Sequence, residues 1–376
     1  MESTKPHRRP DASPSRDAMT ANSGSNLRRF LIVDSHEDLA FNAVVLGRDF
    51  SQSALSERTR FAPRSTSWGI PAVGFPEMKT ANVRVVFASI WAAACENPTG
   101  ISVEPCYKTA EEAYEQGQKQ LAYYESLTTK PQITLVTTKR SLEEVTRDEY
   151  RLGLVLSMEG ADPIISPKHL HQWVNKGLRV VGPAHGRTRY CGGTGQPGPL
   201  TELGRELLSE MKQEPVILDT SHMAETSFFE ALDIFDGPIL ATHSNCRTIV
   251  PTDRQLSDDM IRAIVKRQGV IGLVLYNKFL KPDWEKGGRV KEHVTLTHLA
   301  QQAKHMREVA GDSRYIGLGT DLDGGFGAES IPAELDTIAD LPKITNALAN
   351  AGFSEREVEG IMGQNWLSFL SRTLPN

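Results

Sequence analysis

The chain has 376 residues, a formal net charge of −5 and a pI near 6.1, so neither nucleic acid nor an anionic membrane is expected as a partner. No run of apolar residues approaches the roughly 20 that a membrane span requires. The four cysteines form no CxxC pair and suggest no disulfide framework, which favours reduced cysteines and a cytoplasmic protein. A small-molecule ligand is therefore expected.

The amino-terminal residues 1–29 are rich in Ser, Pro, Arg and Asn, and this composition predicts a disordered tail. Residues 30–376 are expected to form one domain, because α/β barrels of this size commonly fold as a single unit. The segment 46–80 contains several Pro, Gly and Ser residues and is interpreted as an insertion that could form part of a lid.

Eight short segments rich in β-branched and apolar residues follow one another along the chain. They are Phe30–Val33, Val83–Trp91, Leu152–Ser157, Leu178–Gly182, Val216–Leu218, Ile239–Ala241, Val270–Leu275 and Tyr315–Gly319. Most are continuously apolar, as parallel strands covered on both faces should be. Helical patterns separate them at Ala110–Leu127, Pro199–Lys212, Glu225–Ile234, Ser257–Arg267 and Thr295–Val309, and more helix is expected in Ile331–Leu374. The predicted fold is an α/β (β/α)₈ TIM barrel.

Six of the eight predicted strands end in a side chain that can bind a metal or move a proton. In chain order these are His36 and Asp38, Glu159, His185, His222, His243, and Asp321 with Asp323. The carboxyl ends of barrel strands share one face, where barrel enzymes place their active sites. The sequence therefore predicts that these side chains converge.

A two-metal site is the chemistry that this set favours. His222 and His243 lie 21 residues apart, about one strand, helix and turn, so both imidazoles are expected at the same end of neighbouring strands. His36 and Asp38 occupy positions i and i+2 of an extended chain and can reach one ion together. With Glu159 as a bridge, five ligands suit two Zn²⁺ ions better than one tetrahedral ion. The simpler alternative is a set of unrelated side chains with local hydrogen bonds.

Longer motifs extend these positions and carry a resemblance to a known family. They are VDSHEDL (33–39), LSMEG (156–160), GPLTELGRELLSEMKQ (198–213), DTSHMAETSFFEAL (219–232), ATHSNCRTIVPTDRQLSDDMI (241–261) and GLGTDLDG (317–324). From about Phe30 to Leu370 the chain resembles the membrane dipeptidase (renal dipeptidase) family of binuclear zinc peptidases, within the amidohydrolase-like barrels. The resemblance implies a dipeptide substrate, two zinc ions per chain and a homodimer.

The resemblance also implies a role for individual residues. His36, Asp38 and Glu159 would hold one metal, and Glu159, His222 and His243 would hold the other. His185 would contact the substrate and polarise the scissile carbonyl. Arg254 would pair with the terminal carboxylate. Asp321 would take a proton from the bridging water and pass it to the leaving amine. Tyr276, after the seventh strand, is a further candidate for substrate binding.

Some positions depart from the family pattern. Glu37 and Ala40 stand where many relatives have Asn and Pro, and GRTRYCGG follows His185 in place of an Asn-rich stretch. That stretch brings Arg187 and Arg189, which would favour an acidic substrate if they enter the pocket. Equally, both arginines could face solvent.

Three alternatives to the expected metal-dependent dipeptidase stay open. The same site could hydrolyse another small amide, such as an N-acyl amino acid or a lactam. A barrel that has lost its chemistry could serve as a binding protein, although all five ligands and Asp321 are present. A phosphate-binding aldolase or isomerase would need a cation or glycine-rich site near the last two strands, where Asp321 and Asp323 have the wrong charge.

Overall fold

A computed structural model of the chain describes Met1 and residues 30–61, 68–95 and 104–376. The predicted tail lies outside the described residues apart from Met1, and so do residues 62–67 of the predicted insertion. Eight parallel strands form the central ring. They are β1 (Ile32–Glu37), β2 (Val83–Trp91), β3 (Leu152–Glu159), β4 (Leu178–Gly182), β5 (Ile217–Asp219), β6 (Ile239–Leu240), β7 (Ile271–Leu273) and β8 (Ile316–Leu318). The predicted (β/α)₈ barrel is confirmed.

The strands follow chain order around the ring, and β1 closes it by pairing with β8 at Asp34 and Leu318. A short parallel bridge between Ala241 and Ile271 joins β6 to β7, where Gly272 N donates to Ala241 O at 2.9 Å. Because every ring pairing is parallel, all eight carboxyl ends open on the same face. That face is where the polar strand ends meet.

Helices surround the ring. They are α1 (Leu39–Val44), α2 (Ala54–Phe61), α3 (Phe75–Ala81), α4 (Ala110–Leu127), α5 (Lys139–Arg147), α6 (Leu170–Asn175), α7 (Glu202–Met211), α8 (Glu225–Ile234), α9 (Asp258–Lys266), α10 (Asn277–Leu280), α11 (Leu296–Ala310), α12 (Ile344–Asn350), α13 (Glu355–Glu359) and α14 (Asn365–Thr373), with a π-turn at Gly360–Gln364. Short 3₁₀ turns occupy Pro167–His169, Lys291–His293, Ser313–Tyr315, Ala328–Ser330 and Ile338–Lys343. Among the helices described, none has both the length and the apolar character to cross a bilayer.

In the described part of the chain, three short strands lie outside the ring. Ile133–Leu135 pairs with β3, and Cys191–Gly193 pairs with Gln196–Leu200 as an antiparallel hairpin after β4. None was predicted from the sequence. Two of them contain only three residues, which is too short for an apolar period to be recognised.

An apolar layer fills the amino-terminal half of the ring. Residues of β1 to β6 join Trp366 of α14 in one buried cluster. The Trp366 indole is fully buried, packs 5.3 Å from the Phe87 ring between centroids, and donates from Nε1 to Leu318 O at 3.0 Å. One large side chain from the last helix therefore supports the ring beneath its polar end.

Above this layer the ring narrows around small residues. Ser35 Oγ lies 2.5 Å from Thr242 O and 2.8 Å from Leu318 O. A Cβ added to Gly272 or Gly319 would lie 1.9 or 1.8 Å from Thr242 O, so only glycine permits this close approach. The narrowing brings β1 against β6, and the rings of His36 and His243 lie 3.7 Å apart.

The predicted insertion contains two helices, α2 and α3, joined to the carboxyl-end face by a segment that we call the strap, residues 68–73. Arg48 donates to Trp68 O at 3.0 Å and to Gly69 O at 2.7 Å. At the far end, Ala72 N donates to Asp323 Oδ1 at 2.9 Å. A lid role for this insertion stays a prediction.

Cys95 and Cys106 form a disulfide, whereas Cys191 and Cys246 are buried and free. The expectation of four reduced cysteines is therefore wrong for this pair. Ala94 forms a parallel bridge with Tyr107, which brings the end of β2 next to the segment before α4. That contact depends on the fold, and the sequence spacing of the two cysteines does not indicate it.

Candidate metal centre

Side chains from six strands converge at the carboxyl end of the ring, as predicted. Asp323 is the exception, because its carboxylate accepts hydrogen bonds from the backbone of Ala72 and Val73 instead. Glu159 is the last residue of β3, and His36 belongs to β1, with Asp38 directly after it. His185, His222, His243 and Asp321 follow β4, β5, β6 and β8. All are buried except His185 and His222, which are partly exposed.

Glu159 lies at the centre of this group. Its Oε1 is 3.0 Å from His222 Nε2 and 3.2 Å from His243 Nε2. Its Oε2 is 3.6 Å from His36 Nε2. Each carboxylate oxygen thus faces a different histidine set, which is the arrangement that a bridging ligand requires.

Several buried polar atoms here have no hydrogen-bond partner among the described residues. They include both ring nitrogens of His36 and Oδ1 of Asp38. His36 Nε2 lies 3.9 Å from Asp38 Oδ1 and 3.9 Å from Asp321 Oδ1, beyond hydrogen-bonding distance. An unpaired buried polar group costs about 1–3 kcal/mol, so a ligand that engages these atoms would stabilise the site.

The donor spacing fits a metal ion. Zinc bonds of about 2.0–2.1 Å place tetrahedral donors roughly 3.3 Å apart. His222 Nε2 and His243 Nε2 lie 3.0 Å apart, and both are at similar distances from Glu159 Oε1. Among the described residues, three overlapping groups have donor atoms within 4.8 Å of one another, namely His36–Asp38–Glu159, His36–His243–Asp321 and Glu159–His185–His222. Neutral imidazoles and carboxylates are ligands that zinc prefers.

A hydrogen-bonded chain behind His243 fixes its tautomer. Thr242 Oγ1 donates to Asp219 Oδ2 at 2.5 Å and lies 2.8 Å from His243 Nδ1. Since the single hydroxyl proton is given to Asp219, Nδ1 must carry the proton that it donates to Thr242 Oγ1. The lone pair of Nε2 then points at the cluster, ready for a metal. Sequence reasoning missed both Asp219 and Thr242.

His222 is oriented from the other side of the cavity. Its Nδ1 lies 3.0 Å from Thr194 Oγ1, which belongs to the turn of the hairpin after β4. The backbone φ of His222 is 65° and that of Asp321 is 59°, in the left-handed region that non-glycine residues rarely adopt. Such conformations concentrate at functional sites, where they aim a side chain.

The charge distribution differs between the two histidine sets. Burial lowers the pKa of His36, but the charges of Glu159, Asp38 and Asp321 outweigh it and raise the pKa to about 10. A metal cation bound at His36 would take the place of that proton, because a ligating imidazole must be neutral. Burial raises the pKa of Glu159, but the charge of His36 and hydrogen bonds from His222 and His243 hold it well below its usual value. Glu159 is therefore a carboxylate, as a metal ligand must be.

The other imidazoles are neutral. Burial and the positive charge of Arg254 keep the pKa values of His222 and His243 well below 6.5, and burial also lowers the pKa of His185. Burial and the nearby carboxylates of Asp38 and Glu159 raise the pKa of Asp321 well above its usual value, against the charge of His36. Asp321 is thus able to hold a proton beside the ligands.

A cavity of about 760 Å³ opens above the cluster, within the range of about 300–1,000 Å³ typical of ligand pockets. Arg254 and Tyr276 both line it. Arg254 is buried and fixed by bonds from Nη2 to His243 O (2.8 Å) and from Nη1 to Ser244 Oγ (3.2 Å), while Nε has no partner among the described residues. Tyr276 stacks on Phe326 with centroids 4.2 Å apart.

Arg187 and Arg189 do not line this cavity. Arg189 is bound to Asp162 Oδ1 at 3.1 Å and to the carbonyls of Ile164 and Ile165. Arg187 is exposed and donates to Pro197 O at 3.2 Å. An acidic preference based on these two arginines is therefore not supported.

A parallel barrel that gathers four histidines and three carboxylates at the carboxyl ends of its strands has the fold and the ligand types typical of metal-dependent hydrolases. The family model that matches residues 24–373 of this sequence is described as membrane dipeptidase, peptidase family M19. The chain belongs to this family, as the sequence motifs indicated.

Curated relatives match part of the chain. An uncharacterized protein of Klebsiella pneumoniae, in the pqqA 5′ region, is 29% identical over 234 residues, which is 60% of this chain and 83% of that protein. The dipeptidase tcpJ of Claviceps purpurea is 26% identical over 230 residues, which is 59% of this chain and 52% of that protein. The match thus spans about half of that dipeptidase.

Solved structures share the fold. The dipeptidase AC, a metallopeptidase of family M19, superposes with a TM-score of 0.76 at 23% identity, covering 93% of this chain and 100% of that one. A metallopeptidase from Rhodobacter sphaeroides, liganded with a phosphinate mimic of the dipeptide L-Ala-D-Ala, superposes with a TM-score of 0.75 at 23% identity. This match covers 92% of this chain and 99% of that one.

Proposed function

We propose that the chain is a dipeptidase that depends on two divalent metal ions and that these ions are Zn²⁺. They would be held on either side of Glu159. His36 and Asp38 would complete one site, and His222 and His243 the other. The observation that carries this proposal is the position of Glu159, whose two oxygens face separate histidine sets at 3.0–3.6 Å. A bound metal pair would supply a bridging hydroxide at neutral pH and would polarise the carbonyl.

The chain's own residues would bind and orient a dipeptide. Arg254 presents fixed donors to the cavity, and its unpaired Nε is free to bond a carboxylate oxygen. The neutral His185 ring lies at the cavity wall, stacked 4.6 Å from His222 between centroids, where it can donate a hydrogen bond to the scissile carbonyl oxygen. These two contacts would hold the peptide bond over the cluster.

Asp321 would move the proton. Its carboxylate is buried, lies 3.9 Å from His36 Nε2, and has a pKa well above its usual value. The raised pKa makes the Asp321 carboxylate a stronger base, so it can accept the proton of the attacking water and, as the carboxylic acid, return it to the leaving amine nitrogen. Peptide hydrolysis needs both transfers, and one group can perform them in sequence.

Metal analysis combined with a substrate panel tests the proposal. We expect about two zinc equivalents per chain, and amino acid release from dipeptides in preference to N-acyl amino acids or lactams. Hydrolysis of only the N-acyl or lactam substrates would favour another amidohydrolase reaction. Metal binding without hydrolysis of any of these would favour a binding protein.

A further inference from the structure

Three aromatic side chains form one side of the cavity. Phe41 packs against Trp68 with ring centroids 5.2 Å apart and against Trp91 at 4.9 Å. All three line the cavity. With Ala93 they form an apolar cluster separate from the clusters that stabilise the barrel. We call Phe41, Trp68 and Trp91 the aromatic wall.

The ring order places the aromatic wall across the cavity from Arg254. Trp91 ends β2, whereas Arg254 follows β6, and these strands lie on opposite sides of the eight-stranded ring. Glu159 and its histidines lie between them. A dipeptide with its carboxylate on Arg254 and its peptide bond over Glu159 would therefore extend its amino-terminal residue toward β1 and β2. That residue's side chain would meet the wall.

The wall is fixed in position relative to the metal ligands. Arg48 holds the backbone of Trp68 and also donates from Nη1 to Asn42 Oδ1 at 2.8 Å. Asn42 Nδ2 in turn donates to Asp38 O at 2.9 Å. A Cβ on Gly69 would lie 2.2 Å from Gly327 N, so the strap is closely packed as well. A rigid wall can discriminate between side chains by fit.

The side of the cavity that follows β7 and β8 carries both aromatic residues, namely Tyr276, Phe279 and Phe326, and charged ones. Lys278 and Arg289 line it, and both bind Glu285, at 2.8 and 2.7 Å. Among the described residues that follow β1 and β2, Asp38 is the charged one that lines the cavity, and it belongs to the metal cluster. The part of the cavity beside β1 and β2 therefore carries fewer charged side chains than the part beside β7, which suits it to an apolar side chain.

We infer that the aromatic wall is the subsite for the side chain of the amino-terminal residue and that it favours bulky apolar side chains such as Leu or Phe. The inference rests on the proposed dipeptidase function. A methylene group in an apolar pocket changes discrimination about 10-fold or more, so the preference is measurable.

Two dipeptide series assayed with zinc-loaded protein test this inference. In the X-Ala series, we expect Leu-Ala and Phe-Ala to exceed Ala-Ala and Asp-Ala in kcat/KM by about 10-fold or more. In Trp68→Ala the Leu-Ala to Ala-Ala ratio should fall by about 10-fold, with unchanged zinc content. Trp68→Phe should retain most of the preference. In the Ala-X series, the corresponding ratios of kcat/KM should be the same in the Trp68 variants as in the wild type. Tyr150→Ala removes an exposed ring remote from the cavity and is the matched control.

The outcomes separate this inference from the proposed function. Absence of hydrolysis of every dipeptide by the zinc-loaded wild type would overturn the dipeptidase proposal itself. Hydrolysis with an X-Ala preference that Trp68→Ala and Trp68→Phe leave intact would overturn the subsite alone. A change confined to the Ala-X series would also overturn it, because the wall would then contact the carboxyl-terminal residue.

Discussion

Thr242 connects Asp219 to His243 with one hydroxyl group, and removing that hydroxyl is the mildest way to disturb the cluster. Thr242→Val keeps the shape of the side chain but leaves His243 Nδ1 without its acceptor. Loss of such a partner lowers metal affinity about 10–100-fold, so we expect this loss in a chelator competition titration. Thr345→Val, at another buried threonine remote from the cluster, should keep wild-type affinity.

Asp321 has a different role, and its substitution should separate metal binding from turnover. Asp321→Asn keeps size and polarity but cannot carry the proton. We expect full zinc content and a kcat lower by about 10²–10⁴-fold, the usual contribution of a general acid–base group. Asp236→Asn, at an exposed position, is the control. An unchanged kcat would remove Asp321 from the mechanism.

Arg254 is expected to act through substrate charge. In Arg254→Met, kcat/KM for a dipeptide with a free carboxylate should fall roughly 10–100-fold, since a hydrogen bond to a charged group contributes about 1.5–3 kcal/mol. For the same dipeptide with an amidated carboxyl end, kcat/KM should fall much less. Equal losses for both substrates would show that Arg254 does not bind the carboxylate.

At the residue scale, the sequence located the candidate ligands because each one follows an apolar strand. That rule alone places His36, Glu159 and His243 at the same end of the barrel. It does not identify Asp219, Thr194 and Trp68, because their importance comes from contacts across the fold. Arg187 shows the converse, since proximity in sequence to His185 did not bring it into the cavity.

At the scale of elements, α14 stabilises the ring by burying Trp366 beneath it. Trp366→Ala would leave a cavity among residues of six strands, and truncation of a buried aromatic side chain costs about 3–5 kcal/mol. We expect a clearly lower free energy of unfolding by denaturant titration, with a smaller loss for Trp366→Phe. A wild-type value for Trp366→Ala would contradict this role.

Element prediction gave the observed bounds for two strands and two helices. β2 and β4 have the predicted bounds, as have α4 and α8. The predicted first strand ends at Val33, whereas β1 continues to Glu37, because polar residues at its end are buried by the cluster and not by an apolar core. The hairpin after β4 was missed since its Gly-rich sequence has no strand period.

For the whole molecule, the cluster joins strands that lie far apart in sequence, so metal loading should stabilise the entire barrel. A ligand present at 100 times its Kd raises the free energy of unfolding by about 2.7 kcal/mol. We expect a lower Tm after removal of metal by a chelator and recovery on addition of zinc. Glu159→Gln, which lacks the bridging carboxylate, should show little zinc-dependent shift. A wild-type Tm that is independent of metal would contradict this coupling.

The homodimer expected from the family stays a prediction, which light scattering can test.

Closure of the ring by β1 and β8 also affects how the protein is made. Ser35 contacts Leu318, 283 positions further along the chain. At about 5–20 residues per second, a ribosome needs on the order of 10–60 s to synthesise that interval. Until β8 emerges, β1 lacks its partner on that side, and an unpaired strand edge is a site where another chain can associate.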